Sequence, residues 1–296
     1  MSSSAPERTA IAVSNLHVGF ARGAVLTGLK WEVPRGAFVA MFGSTGSGKS
    51  TLLSILAGAM RPNEGTVRVA GGDPTVQDTR RRLAFMPQGG GLYLDLSVED
   101  NLRIFAEARG LRAGDSVERA LELVELRKRR NDAVRSLPVG QVQRVSLAAA
   151  LAGDAEVLLL DEPAAYADPA YASRLWAHLG ELADAGRTVV MATSHPHVAA
   201  QARNVAVLRA GRIAREFGTA SLAQPGRATV RLKYREKAGV RTHEVACDDY
   251  RADLVKLVEG RHLDKKVPWA TAERPFEVEV CQEPVEVRLA RLLMEE

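Results

Sequence analysis

The stretch Gly43-Ser44-Thr45-Gly46-Ser47-Gly48-Lys49-Ser50 restricts the folds open to this chain more than any other. It carries the glycines, the lysine and the hydroxyl of a phosphate-binding loop at the required spacing. Such a loop works only between a strand and a helix. The apolar run 37–42 reads as that strand and the run Thr51–Leu56 as that helix. Glycines let backbone N–H groups turn inward around a polyphosphate, and the helix N-terminus adds a partial positive charge. The candidate phosphate ligands are therefore Gly43, Ser44, Thr45, Gly46, Ser47, Gly48 and Thr51, with Lys49 reaching the β- and γ-phosphates and Ser50 placed to hold Mg2+.

Around this loop, residues 9–218 alternate short β-runs with helical patterns, which predicts an α/β fold. Val157–Leu160 and Thr188–Ala192 are continuous apolar runs and read as central parallel strands covered on both faces. Val205–Leu208, a turn at Arg209–Arg212 and then Ile213–Ala214 read as a hairpin. Residues 96–135 differ. Apolar positions at Leu102, Phe105, Ala106, Leu121, Val124 and Leu126 predict a helical insertion, and the helical subdomain as a whole is placed at about 96–145. Composition shifts near Ala223–Gly226, a linker signal. Beyond it, Thr229–Tyr234 and Phe276–Val280 alternate like half-solvated strands, while Asp249–Leu263 and Val285–Glu296 have helical spacing. The expected organisation is a lead-in at 1–8, a large domain at 9–222 and a small α+β domain at 227–296.

Bulk properties exclude some partners. No apolar run approaches the roughly 20 residues of a membrane-spanning helix, and residues 1–8 lack the apolar core of a secretory signal. A net charge of +4 is too mild to imply a nucleic-acid partner. Cys247 and Cys281 lack metal-ligand spacing and read as free thiols. His195 and His197 invite a metal reading, which is rejected because no second ligand set accompanies them.

A second cluster narrows the chemistry. The strand Val157–Leu160 ends in Asp161-Glu162-Pro163, placing one acid for Mg2+ and the next to polarise an attacking water. Together with the loop at 43–50 and a later strand ending at His195, the chain resembles the nucleotide-binding domains of ABC transporters over residues 9–218. The resemblance implies a P-loop ABC-ATPase fold with a helical subdomain, binding ATP and Mg2+. It implies that Phe20 stacks on adenine, that Gln88 links the metal site to the helical subdomain, and that His195 contacts the γ-phosphate. Gln88, Glu162 and His195 are then the catalytic set, and Ser50, Gln88 and Asp161 the metal set. Leu92–Leu102 matches the segment facing a transmembrane partner, and Asp168 the aspartate of a loop crossing a dimer interface.

One motif departs from the family pattern. Leu-Ser-Gly-Gly-Gln is expected before the helix leading to Asp161, and Leu137-Pro138-Val139-Gly140-Gln141 stands there. Gly140 and Gln141 remain as candidate nucleotide contacts, and Gln143 and Arg144 of the pattern remain beside them. The serine, which in the family donates its hydroxyl to the γ-phosphate held by the opposite subunit, is replaced by a proline with neither hydroxyl nor N–H. The C-terminal segment resembles the small domain that follows the cassette in drug-, ion- and polysaccharide-exporting ABC ATPases. The reading is an ATP-hydrolysing subunit at the cytoplasmic face of the cell membrane, paired with a second cassette and a separate polytopic chain. Two alternatives stand beside it: a weakly hydrolytic, ATP-gated structural subunit paired with a different catalytic cassette, and a soluble ABC ATPase without a transport role.

Overall fold

A computed structural model describes residues 9–219 except 22, 90 and 111–113, together with the backbone of three later strands. The chain divides into two compact units, Met1–Phe217 and Gly218–Glu296. The division falls at the end of the strand Arg212–Gly218, a few residues before the expected linker at 223–226.

The core of the first unit is a six-stranded sheet. In chain order its strands are β3 (Phe38–Phe42), β5 (Leu83–Met86), β6 (Val157–Asp161), β7 (Thr188–Thr193), β8 (Asn204–Arg209) and β9 (Arg212–Gly218), in spatial order β5-β6-β7-β3-β8-β9. The pairs β5/β6, β6/β7, β7/β3 and β3/β8 are parallel. The strands β6 and β7 are buried at every residue, as expected for a parallel sheet covered on both faces. The hairpin from β8 to β9 turns at Ala210 and Gly211, both at positive φ (47° and 73°), as a two-residue hairpin turn demands.

A second sheet is antiparallel, in the order β2 (Gly23–Pro34), β1 (Thr9–Phe20), β4 (Glu64–Val69). Its inward side chains Ile11, Leu16, Leu29 and Trp31 share one core with Met41, Leu159 and Val190 of the parallel sheet. Between them lies α1 (Lys49–Leu56), whose Leu52, Leu53, Ile55 and Leu56 are all buried. Burial of side chains of this size stabilises by about 1.5–3 kcal/mol each, so this helix is anchored by its packing rather than by its length of two turns.

Helices α3 (Val98–Ala108), α4 (Gly114–Leu123) and α5 (Val139–Leu151) form the helical insertion, and Leu102, Ala106, Leu121, Val124 and Leu126 are buried as their spacing predicts. Phe105 is only half-buried. Helix α3 starts at Ser97, whose hydroxyl accepts the Asp100 N–H at 3.0 Å and donates to the Asp100 carboxylate at 2.6 Å. The buried Asn101 holds both backbone groups of Tyr93, which fixes the loop before α3. Two further helices, α2 (Gln77–Arg81) and α6 (Pro169–Asp184), flank the sheet elements; α6 is capped by Asp168, which accepts the Tyr171 N–H at 2.9 Å. Helix α7 (Pro196–Ala199) follows β7.

In the second unit, β10 (Ala228–Glu236) pairs antiparallel with β11 (Gly239–Cys247) and with β12 (Glu277–Gln282). The expected strand at 229–234 falls in β10, and residues 277–280 of the one expected at 276–280 fall in β12. The expected lead-in at 1–8, the linker, and the helices at 249–263 and 285–296 lie outside the described residues.

Candidate nucleotide site

The C-terminal ends of β3 and β6 deliver the loop at 43–50 and the acids 161–162 to one place. The residues after β3 turn tightly into α1. A Cβ on Gly43 would lie 2.6 Å from the Leu208 carbonyl oxygen and 2.6 Å from Ser47 Oγ, so only glycine fits there. Gly48 takes φ 101° with Leu26 and Val25 2.9 and 3.0 Å from where its Cβ would stand. Lys49 is 7% exposed, and its Nζ donates to the carbonyls of Gly43 (2.8 Å) and Ser44 (3.0 Å). Burial lowers its pKa from the ordinary value, opposed by the nearby carboxylates of Glu162 and Asp161.

A cleft of about 250 Å³ is lined by Thr45, Gly46, Gly48, Lys49, Ser50, Thr51, Gln88, Asp161, Glu162, Ser194 and Val25. The fold thus brings together residues from five separate parts of the chain. Asp161 is 1% exposed, and burial raises its pKa, opposed mainly by the hydrogen bond that Ser50 donates. Its Oδ1 is buried without a hydrogen-bond partner. A buried carboxylate oxygen left open beside a serine hydroxyl suits a hard divalent cation or its bound water.

Glu162 occupies φ 49°, an uncommon conformation for a residue with a side chain. Its carboxylate accepts from Thr193 Oγ1 (3.0 Å), from the Ser194 N–H (2.8 Å) and from Ser194 Oγ (3.1 Å). Thr193 also accepts the His195 N–H at 3.1 Å, so one hydroxyl stands between His195 and Glu162. Thr193 and Ser194 carry no sequence signal of this role beyond standing before His195.

Other candidates stand apart from the cleft. The His195 side chain is exposed at the start of α7, its ring centroid 5.5 Å from that of His197. Phe20, 53% exposed, ends β1, and neither it nor His195 lines the cleft. Gly140 and Gln141 begin α5, outside the cleft of their own chain. There Pro138 is the N-cap and offers no side-chain cap, Val139 is 65% exposed, and the position of a Cβ on Gly140 lies 3.5 Å from Tyr166 Cβ. Gln141 Oε1 is buried without a partner. One turn on, Gln143 Nε2 donates to the Glu162 carbonyl at 3.1 Å. Arg144 bridges Glu125 and Asp168, each at 3.0 Å, and stacks on Tyr171.

Comparisons with known proteins agree with this geometry. A model of the ABC transporter family matches residues 26–165. Over 199 residues, 64% of this chain, the sequence is 37% identical to the macrolide export ATP-binding/permease protein MacB of Nitrosomonas europaea. Over 190 residues, 62% of the chain, it is 35% identical to the "Probable multidrug ABC transporter ATP-binding protein YbhF" of Escherichia coli. The matched part spans 30% and 33% of those two proteins, about a third of their length. Among solved structures, an ATP-binding subunit of an ABC transporter superposes with a TM-score of 0.67 at 26% identity, covering 73% of this chain and 92% of that one. A dimeric ATP-binding cassette in a post-hydrolysis state, bound to ADP and Pi, superposes with a TM-score of 0.66 at 26% identity, covering 71% and 98%. The phosphate loop, the two acids at the end of β6 and these likenesses together support an ABC transporter nucleotide-binding domain around the matched residues 26–165.

Proposed function

We propose that the chain binds and hydrolyses ATP to drive transport through a membrane-spanning partner. The observation that carries this reading is the cleft in which Lys49, Ser50, Asp161 and Glu162 converge. Lys49 Nζ, kept within the loop by two carbonyls, is positioned for the β- and γ-phosphate oxygens, and the N–H groups at the start of α1 add a favourable field. Mg2+ would be held by Ser50 and, through water, by Asp161 and Gln88, and would supply charge neutralisation between the phosphates. Glu162 orients the attacking water once its carboxylate is released from Thr193 and Ser194. His195, one residue further on, reaches the γ-phosphate. Catalysis on this plan is positioning and charge stabilisation, with no covalent intermediate.

The partner surface we assign is a groove of about 420 Å³ between the parallel sheet and the helical insertion. Leu83, Phe85, Leu92 and Phe105 make it apolar, and Arg80, Arg81 and Arg109 stand along it. An amphipathic segment bearing a carboxylate suits that lining. This would place the chain at the membrane through its partner, since none of the described helices is long and apolar enough to cross a bilayer. A second cassette would complete the site through Gly140 and Gln141.

A second reading, favoured by Pro138 and the exposed Val139, is pairing with a different cassette whose own signature completes the site built on Lys49 and Glu162. In that assembly the present chain contributes one full site and one weak one.

The test is Glu162→Gln, which keeps shape and removes the charge. ATP affinity should stay within about twofold while turnover falls by on the order of a hundredfold or more. Turnover equal to the parent's overturns the assignment of Glu162.

A further inference from the structure

The loop joining β6 to α6, residues 162–168, is gripped at both ends by consecutive residues of α5. Gln143 Nε2 donates to the Glu162 carbonyl at 3.1 Å, and Arg144 Nη2 donates to Asp168 Oδ2 at 3.0 Å. Within the loop, Glu162 and Tyr166 both take positive φ, 49° and 65°. Conformations of this kind persist only where the surroundings over-determine them. At Glu162 the determinants are few and identifiable. Its N–H donates to the Ala192 carbonyl at 3.0 Å, and its carbonyl accepts from the Ala165 N–H at 3.0 Å and from Gln143. The Ala192 bond comes from β7 and the Ala165 bond from the turn itself. Gln143 is the only side chain among these partners.

We propose that Gln143 is a positioning residue: it holds the peptide of Glu162 so that the carboxylate faces the cleft and the end of β7. This rests on Glu162 being the water-orienting acid. The chemistry requires a donor at this point, because the group held is a carbonyl oxygen that already accepts one bond from Ala165. An amide nitrogen fits, and a carboxylate of the same size would face the oxygen with another oxygen. The consequence reaches past one contact. Helix α5 also begins with Gly140 and Gln141, so displacement of its first turn is transmitted through Gln143 to the acid of the same chain.

Two readouts on the full-length chain test this. The first needs no turnover. The Ser194 N–H donates to Glu162 Oε1 at 2.8 Å, so its hydrogen exchange reports where that carboxylate points. In Gln143→Glu and Gln143→Ala, exchange at Ser194 should quicken about tenfold, with Tm unchanged. Glu162→Ala should do the same, and Gln143→Lys, which keeps a donor of similar reach, should stay near the parent. The second is single-turnover hydrolysis of ATP with Mg2+: the rate should fall about tenfold in Gln143→Glu, about 1.4 kcal/mol, with ATP affinity within about twofold of the parent. Parent-like exchange at Ser194 in Gln143→Glu, beside fast exchange in Glu162→Ala, overturns the proposal and leaves the role of Glu162 standing. Effects that scale with a lowered Tm across the Gln143 variants overturn it in favour of a general structural role. Parent-rate hydrolysis by Glu162→Gln removes the reading of Glu162 and the proposal with it.

Discussion

Residues 43–50 and residues 137–141 both lead from a loop into a helix, and the fold treats them in opposite ways. The first is locked from within. Gly43 sits against the Leu208 carbonyl, Gly48 against Val25 and Leu26, and Lys49 is buried on its own loop. A change at any of these three positions disturbs the packing around α1 as well as the phosphate cradle. In the second, Leu137 is 7% exposed and Gly140 stands against Tyr166, while between them Pro138 is exposed and Val139 is 65% exposed. Pro138 at the N-cap lets its carbonyl accept from Gln141 and Val142, at 2.8 and 3.0 Å, so the helix starts normally without a capping side chain. The fold of this chain therefore tolerates the altered signature, and constraint at 138–139 comes from whatever faces that turn. Under the proposed pairing with a different cassette, a tightly packed phosphate side beside a loosely packed signature side is the expected pattern.

The largest effect that could break this contrast is at Lys49. Lys49→Ala removes a charged donor and leaves two loop carbonyls without their partner. Charge-assisted hydrogen bonds contribute about 1.5–3 kcal/mol each, so ATP affinity should drop on the order of a hundredfold or more. An equilibrium titration showing undiminished affinity would remove the phosphate side from the account.

Next in size is stability. Leu52→Ala truncates a fully buried side chain of α1 and should cost about 2–5 kcal/mol in a denaturant melt. Losses below 1 kcal/mol would mean that α1 is not held by the shared core.

The signature side should respond in rate. Pro138→Ser with Val139→Gly should raise ATPase activity of the chain alone about tenfold, about 1.4 kcal/mol. The new serine at the N-cap can also stabilise α5 by ~1 kcal/mol, so turnover and Tm need to be read together. A higher Tm with unchanged turnover would show a restored cap and nothing more, and would undercut pairing with a different cassette. The smallest effect closes the series: Val139→Ala should leave stability within about 0.5 kcal/mol. A larger loss would contradict the view that this turn is free of its own fold.

Much of this was legible in the sequence because it is local. The phosphate loop has fixed spacing, and β6 and β7 are unbroken apolar runs, so their burial follows from a period that needs no partner. Both acids at the end of β6, Asp161 and Glu162, could be read for the same reason. The antiparallel sheet β2-β1-β4 was not resolved from the sequence. Its strands are paired with register shifts at Val13/Leu16 and Leu16/Val18, and each shift breaks the alternation that would announce a strand.

Sequence alone determined the chemistry available: a polyphosphate loop with a lysine, a hydroxyl and two acids, a histidine further on, and a signature without its serine. Tertiary structure decided how those groups are held. The grip of Thr193 on Glu162 spans 31 residues, and that of Gln143 spans 19. Which hydroxyl meets the Glu162 carboxylate, which amide meets its backbone carbonyl, and that Glu162 takes positive φ follow from the closure of β6 against β7 and from α5 lying over the loop at 162–168. Residue order carries no trace of such contacts, because a hydrogen bond between distant segments depends on the packing angle and register of whole elements rather than on any local pattern.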